Sequence, residues 1–499
     1  SARAAALRKA SRSGVISRLC LHNTFVRAHN QCYTQLNMPD KFYVTTPIYY
    51  ASGKPHLGHA FTTIYADVIS RHRKSRGKNV FFTTGTDEHG AKIAEAAEKS
   101  GEEPQQFVDK IAEEYKKTWQ ALNIRYDDFT RTTSDRHKKG VLAFMEKIYK
   151  NGDIYEDVYE GLYCVGCENF VLERNLKNGL CPDHLIKPKK VKEKNFFFNL
   201  KKYLQAVKEK IISEELKIIP ESRKNEVLSM IDAGAPNFSI TRENLKWGIP
   251  FPHGKNQTIY VWVDALANNI TDFDFPDGDN YKNFWPADAH ILGAEINKFH
   301  SIFWPALLTS AGLPLPKIVF VHGLFTMNGQ KMSKTLGNII DPVDMVNEFG
   351  SDAARYLALS QFPASEHGDI KAEKFKEKYN SDLANGVGNL FERVFTMIID
   401  YRKGVVDEKD ISEKTKNQSS DIETSYNQHM ENFQLFEALG DVFAFIKTLD
   451  KYINEERPWE LNKSNDPKLG KVLTTLFFSV NKIAGWLEPF MPVKMEQVK

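Results

Sequence analysis

A doubly wound α/β fold, interrupted by an inserted zinc-knuckle domain and closed by a C-terminal α-helical bundle, is the architecture this sequence predicts. Three observations carry it. Short β-rich runs alternate with helical periodicity over residues 40–154, and the rhythm returns over 256–325. In the segment between, 155–255, the spacing Cys164-x2-Cys167-x13-Cys181-x2-His184 breaks that rhythm. Beyond Gly368 the strand signals fade and helical periodicity alone remains.

Taken in order, Lys41-Phe42-Tyr43-Val44-Thr45-Thr46 is a β-rich run ended by Pro47, and Ser52-Gly53-Lys54-Pro55 is a turn. From His59 to Arg76, Phe61, Ile64, Tyr65, Val68 and Ile69 share one helical face, and Asn79–Thr84 is the next strand. Strand, turn, helix, strand is the opening of a Rossmann-like unit. Glu98 to Leu122 reads as one helix. Thr258–Val263, Ala289–Gly293 and Ile318–Val321 read as buried strands of the resumed fold. Residues 326–367 form a separate loop and connecting region. Within 368–499, residues 371–402, 421–457 and 468–487 read as helices, parted by polar stretches such as Ser412–Ser420.

Composition bounds the rest. A chain of 499 residues, 41% hydrophobic and 26% charged, is long enough for several cored domains. The net charge of +3 is misleading, because residues 1–39 hold Arg3, Arg8, Lys9, Arg12, Arg18 and Arg27 and no acid. Without those six, 61 basic residues face 64 acidic ones, so a polyanion must be held by local patches rather than bulk charge. The Arg-, Ala- and Ser-rich leader has the composition of a mitochondrial transit segment, with a disordered basic tail as the plainer reading. The mitochondrial matrix is the expected compartment and the cytoplasm the alternative. No apolar run reaches the length of a membrane span, and Val472–Leu487, broken by Lys482, reads as a packed helix. Five cysteines are too few and too uneven for a disulfide framework.

Two short motifs and the cysteine cluster carry chemistry. His56-Leu57-Gly58-His59 sits where a strand ends and a helix begins, and free N–H groups and the positive end of the helix dipole attract phosphate there. Two imidazoles one turn apart can donate to the same phosphate oxygens, and Gly58 removes a Cβ where a planar base can lie. Lys331-Met332-Ser333-Lys334-Thr335, bounded by Gly329 and Gly337, is a cationic flap suited to charge growing on a leaving phosphate group. Either motif alone reads more readily as ordinary surface residues. The cluster Cys164, Cys167, Cys181 and His184 has the spacing of a tetrahedral Zn2+ knuckle, and four ligands leave no open position for catalysis. Its expected role is structural, bracing the inserted domain against the active site while standing remote from the chemistry.

Together and in this order, the two motifs resemble the ATP signatures of class I aminoacyl-tRNA synthetases. Thr46-Pro47-Ile48-Tyr49-Tyr50, Thr84–Gly90, Tyr260–Leu266 and Phe299–Ala306 narrow the resemblance to the methionyl-tRNA synthetases, over about Phe42 to Pro492. The resemblance implies ATP and methionine as substrates, Mg2+ with the ATP, tRNA(Met) as partner, no membrane, and a monomer. It implies catalytic roles for His56, His59, Lys331 and Lys334. Gly58, Gly293, Glu295, His322, Gly323, Met332 and Ser333 would contact ATP. Ile48, Tyr50, Trp262, Ala265, Ile296, Phe299 and His300 would line the methionine slot, with Asp87 on the α-ammonium. Residues 326–367 would hold the flap and contact the tRNA stem. Asn389, Arg393 and Trp459, in Asn385-Gly386-Val387-Gly388-Asn389-Leu390-x2-Arg393 and Arg457-Pro458-Trp459, would read the anticodon.

Plainer readings stand beside these: core packing for Trp262, Phe299 and Trp459, helix packing for Asn389, and a helix N-cap for Asp87. The sequence also departs from the family at Ser52, at Asn269 and at Gly293-Ala294-Glu295, where the family has Asn, Tyr and Gly-Lys-Asp. Another class I ligase and a non-catalytic tRNA-binding relative are the alternatives. About 100 residues of insert are too few for the knuckle and a large editing domain.

Overall fold

The computed structural model describes residues 40–171, 173, 176–182, 185–243, 245–327, 329–331, 339–407 and 410–498; the leader 1–39 lies outside them. The chain enters its main sheet at the centre. β1 (Lys41–Tyr50) pairs in parallel with β2 (Asn79–Asp87), and β2 with β3 (Asp128–Arg131). β4 (Ile154–Cys164), β5 (Asn169–Val171) and β6 (Lys189–Phe198) follow, then β7 (Lys217–Ile219), β8 (Phe238–Ser239), β9 (Thr241–Glu243) and β10 (Gln257–Ile259). β11 (Ala289–Gly293) and β12 (Ile318–His322) complete the six-stranded parallel sheet in the order β3-β2-β1-β11-β12-β7. Both faces are covered, so β1 is buried along most of its length rather than on alternate residues. One face carries helix Leu57–Ser75 and continues without a break into the core of the helical bundle, and the other packs around Tyr43, Phe144 and Trp304.

Several elements differ from the sequence reading, each for a local reason. β1 does not stop at Pro47. The register against β2 shifts between Thr45 and Ile48, and the proline, lacking an N–H, occupies that irregularity. The apolar run Thr258–Val263 is not one buried strand: β10 ends at Ile259 in an antiparallel ribbon with β9, and Val261–Leu266 is a helix. Short apolar runs fit a buried strand and a buried helix equally well. Glu98–Leu122 is two helices, Ala91–Ser100 and Pro104–Ala121. Gly101 at φ 71° ends the first and Pro104 begins the second. Likewise 421–457 breaks at Phe433 (φ 59°), and the polar stretch 412–420 belongs to helix Glu413–Glu431.

The insert is a four-stranded antiparallel sheet, β5-β4-β6-β8, with the cysteine cluster at its tip. Within the same stretch of sequence, β7 returns to the main sheet as its edge strand beside β12. Past β12, β13 (Phe325–Met327) pairs with β14 (Gln330–Lys331) and with β15 (Gly368–Ile370), so one strand follows the point where strand signals fade. In the bundle, Leu435, Ala438, Leu439, Val442, Phe445, Ile446, Leu449 and Ile453 form the buried stripe of one helix and meet that of Lys468–Leu487. No described helix is long and apolar enough to cross a membrane.

Candidate active site

Four parallel strands end at one crevice: β1 at Tyr50, β2 at Asp87, β11 at Gly293 and β12 at His322. The chain runs outward in opposite directions from β1, so this is the switch point where an open α/β sheet leaves room for a ligand. The cavity there measures about 710 Å³. Fifteen of the residues expected to act on or contact ATP and methionine line it: Ile48, Tyr50, His56, Gly58, His59, Asp87, Trp262, Ala265, Gly293, Glu295, Ile296, Phe299, His300, His322 and Gly323. Of the flap, the structure describes only the backbone of Lys331, paired with Thr326. Met332, Ser333 and Lys334 lie outside the described residues.

The histidine pair is held by its own helix start. His56 is the N-cap of helix Leu57–Ser75, and its Nδ1 accepts from the Gly58 N–H at 3.1 Å. The His56 N–H in turn donates to His59 Nδ1 at 3.4 Å, and the rings stack with centroids 3.8 Å apart. The Tyr115 hydroxyl lies 3.2 Å from the same His59 nitrogen. Because both Nδ1 atoms accept, each neutral ring carries its proton on Nε2, as a donor. A Cβ at position 58 would fall 3.0 Å from the His56 ring, so the glycine keeps that ring in place. His322 is the mirror case. Its Nδ1–H donates to Gly323 O at 2.7 Å, its Nε2 pairs with Thr62 Oγ1 at 2.8 Å, and burial holds its pKa below the ordinary value. A Cβ on Gly323 would fall 1.8 Å from Glu366 O.

Across the cavity the Trp262 and Phe299 rings stack face to face at 3.8 Å, with Tyr50 edge-on to Trp262 at 6.0 Å. They wall a slot suited to a flexible, polarizable side chain. The His300 Nδ1–H donates to Ile296 O at 3.1 Å, and burial lowers its pKa to about 4, so it is neutral at pH 7. Asp87 is buried at the end of β2. It is not an N-cap, since Gly90 occupies that position before helix Ala91–Ser100. Burial first, then the charges of Asp264 and Glu168, push its pKa well above the ordinary range, and its Oδ1 has no partner among the described residues. An arriving ammonium would supply the missing donor and offset the crowding of carboxylates. Beneath it, Asp264 is clamped by His89 and His137, each at 2.7 Å, which against the opposing effect of burial hold its pKa to about 2. Of the departures from the family pattern, Ser52 faces the cavity, while Asn269 is buried and its amide donates to Leu266 O at 2.9 Å.

The knuckle is not remote. Gly166, Cys167 and Asn169 line the cavity, and Trp262 Nε1–H donates to Cys167 O at 3.3 Å. The sulfurs of Cys164, Cys167 and Cys181 lie within 4.8 Å of one another, and those of Cys167 and Cys181 are 3.5 Å apart. Zn–S bonds of about 2.3 Å in a tetrahedron separate sulfurs by about 3.8 Å, so the three thiols fit zinc. His184, the expected fourth ligand, lies outside the described residues. Zinc would bind the thiolates and tie β4 to the turn that touches the slot. Removing it by chelation is expected to loosen residues 160–186, read as faster amide exchange there, and metal analysis of the purified protein that finds no zinc would refute the site.

Sequence reasoning missed helix Ala91–Ser100, whose Lys92, Glu95, Ala96 and Lys99 present one face to the cavity. It also missed Thr62 and Tyr115. Thr62 lies one turn from Gly58 and was legible in principle, but nothing local marks Tyr115. In the bundle, Asn389 is exposed and Arg393, one turn on, lies 3.5 Å from Asp450. Trp459 is half-buried on helix Pro458–Lys463, which packs against the helix carrying Asn389 and Arg393.

The chain is similar to known proteins over most of its length. The family model described as tRNA synthetases class I (M) matches residues 42–189 and 184–395, and that of the anticodon-binding domain of tRNA ligase matches 416–498. The chain is 42% identical to the methionine–tRNA ligase of Thermotoga maritima, over 92% of this chain and 74% of that one. It is 41% identical to that of a Nostoc species, over 90% and 88%. Methionyl-tRNA synthetase of Mycobacterium tuberculosis in complex with methionyl-adenylate superposes with a TM-score of 0.89 at 32% identity, covering 92% and 93% of the two chains. Its free state superposes with a TM-score of 0.79, at 30% identity over 92% and 91%.

Proposed function

This chain belongs to the methionyl-tRNA synthetase family of class I, and from that premise we propose that it joins methionine to tRNA(Met) in two steps, with the following roles for its residues. Methionine enters the slot between Trp262, Phe299 and Tyr50, and its ammonium meets Asp87. ATP lies along Gly58, Gly293 and Gly323, with its phosphates over the histidine pair. The methionine carboxylate attacks the α-phosphorus, forming methionyl-adenylate and releasing pyrophosphate. The Nε2–H donors of His56 and His59 stabilise the charge of the transition state, and Lys331 and Lys334 draw off the pyrophosphate, with Mg2+ accompanying the nucleotide. A ribose hydroxyl at the tRNA 3′ end then attacks the adenylate carbonyl, forming the methionyl ester as the bond to the phosphate oxygen breaks, with AMP as leaving group and the hydroxyl proton released. No side-chain nucleophile is needed; positioning and charge stabilisation carry the rate.

The observation that carries this reading is the meeting, in one cavity, of two pre-oriented imidazole donors and an aromatic slot with an orphaned buried carboxylate. An ATP–pyrophosphate exchange screen over twenty amino acids tests it: methionine alone is expected to support exchange, and exchange with another amino acid, or with none, defeats the reading. For the tRNA, Trp459→Ala is expected to raise the KM for tRNA about tenfold, the size of one lost base stack, and to leave exchange unchanged. A fall in both steps together would count against Trp459 as an anticodon contact.

The mitochondrial assignment rests on the acid-free, arginine-rich composition of residues 1–39. Import of a reporter fused behind those residues tests it. The monomeric state rests on the family resemblance alone, and the mass in dilute solution tests it.

A further inference from the structure

Helix Ala91–Ser100 begins without a cap of its own. Its N-cap residue is Gly90, which has no side chain to bond the first turn, and that turn contains no acid. The missing acceptor comes from 76 residues away: Glu168 Oε1 accepts the Lys92 N–H at 2.7 Å. Glu168 is fully buried and follows the second cysteine of the knuckle. Its backbone sits at φ 46°, unusual for a residue with a side chain, and is pinned there by the Tyr260 hydroxyl on Glu168 O. Gly90 leaves the room: at φ 104°, a Cβ there would fall 2.5 Å from both carboxylate oxygens. Two further bonds tie the same turn to the cavity, from Trp262 Nε1 to Cys167 O and from Lys92 Nζ to Gly166 O at 3.3 Å each.

We propose that Glu168 is a positioning residue for the methionine side of the active site, acting as the N-cap of helix Ala91–Ser100 from the knuckle. The helix follows Asp87–Gly90 directly, so fixing its first turn fixes the segment that presents the Asp87 carboxylate. Its other end of influence is the wall formed by Lys92, Ala96 and Lys99. The nucleotide side hangs on different elements: His56 and His59 on helix Leu57–Ser75, and His322 on β12. The cap therefore governs methionine and not ATP. This rests on the methionine–ATP reading of the cavity.

The experiment is methionine-dependent pyrophosphate exchange by the full chain, with KM for methionine and for ATP measured separately and zinc content measured alongside. Glu168→Ala is expected to raise the methionine KM about tenfold, the scale of a lost cap. ATP KM and zinc content should stay at the parent values, and Glu168→Gln, which keeps an acceptor for the Lys92 N–H, should recover most of the loss. An unchanged methionine KM overturns the proposal, as does an equal rise in both KM values or loss of zinc. If Glu168→Ala does not fold, Gly90→Ala, whose methyl displaces the carboxylate, is expected to show the same split between substrates, and its absence there is equally decisive. Failure of the parent protein to exchange with methionine would instead defeat the underlying reading.

Discussion

His59→Ala is expected to slow methionine-dependent pyrophosphate exchange by about 10²–10³, the cost of removing one pre-oriented donor from a developing charge. The expectation comes from how the ring is held. The His56 N–H and the Tyr115 hydroxyl both approach its Nδ1, at 3.4 and 3.2 Å, so the proton is on Nε2 before any substrate arrives. A donor already oriented needs no reorganisation in the transition state, and its loss falls on kcat rather than on methionine binding. His59→Asn distinguishes donor from ring. An amide can replace the hydrogen bond but not the stack on His56, so partial recovery is expected from it. Lys334→Ala should likewise slow exchange far more than it weakens methionine binding. Equal exchange rates in His59→Ala and the parent would end the assignment.

Arg355→Met is expected to destabilise the protein by about 3–5 kcal/mol, the cost of stripping one partner from a buried ion pair. Arg355 is fully buried in helix Ser351–Leu359. Its Nη2 is 2.7 Å from Asp67 Oδ2, on the helix that begins with the histidine pair. Its other hydrogen bonds go to Leu122 O at 3.2 Å, Pro489 O at 2.9 Å and Phe490 O at 2.9 Å. One guanidinium thus joins the first half of the Rossmann-like fold to the end of the helical bundle. The variant would leave three buried carbonyls without that donor. Asp67 would keep only Arg71 at 2.7 Å and the Arg125 N–H at 2.9 Å. Calorimetry should show the lowest transition falling by at least several degrees, at about 2–4 °C per kcal/mol. An unchanged transition would mean that solvent or a neighbour replaces the guanidinium.

The same arginine marks where legibility in the sequence ends. Nothing local in Asp352-Ala353-Ala354-Arg355 says that this guanidinium will be fully buried in a helix. Glu168 is another such case, because its meaning depends on Gly90, and the two are brought together only by the docking of the insert. Trp262 was legible as a pocket residue but not as a helical one. Its apolar neighbours satisfy either period, and only the N–H of Val263 and Asp264 on Tyr260 O decides for the helix.

What the sequence determined by itself is whatever depends on spacing along the chain. The histidine pair one turn apart, the cysteine knuckle, the glycine-bounded flap and the bundle stripes are local patterns whose geometry follows from helix pitch, turn chemistry and ligand reach. Taken together they carry the family resemblance, and through it the class of chemistry. The tertiary structure decided which groups meet across the sheet: the β1/β11 switch point as the seat of the cavity, Asp87 with an orphaned oxygen, and the tautomers of His59 and His322. It also made the knuckle, expected to stand remote from the chemistry, a wall of the cavity beside the aromatic slot. These depend on burial and on partners tens to hundreds of residues away, where desolvation and hydrogen-bond completion set the outcome and no local period records them.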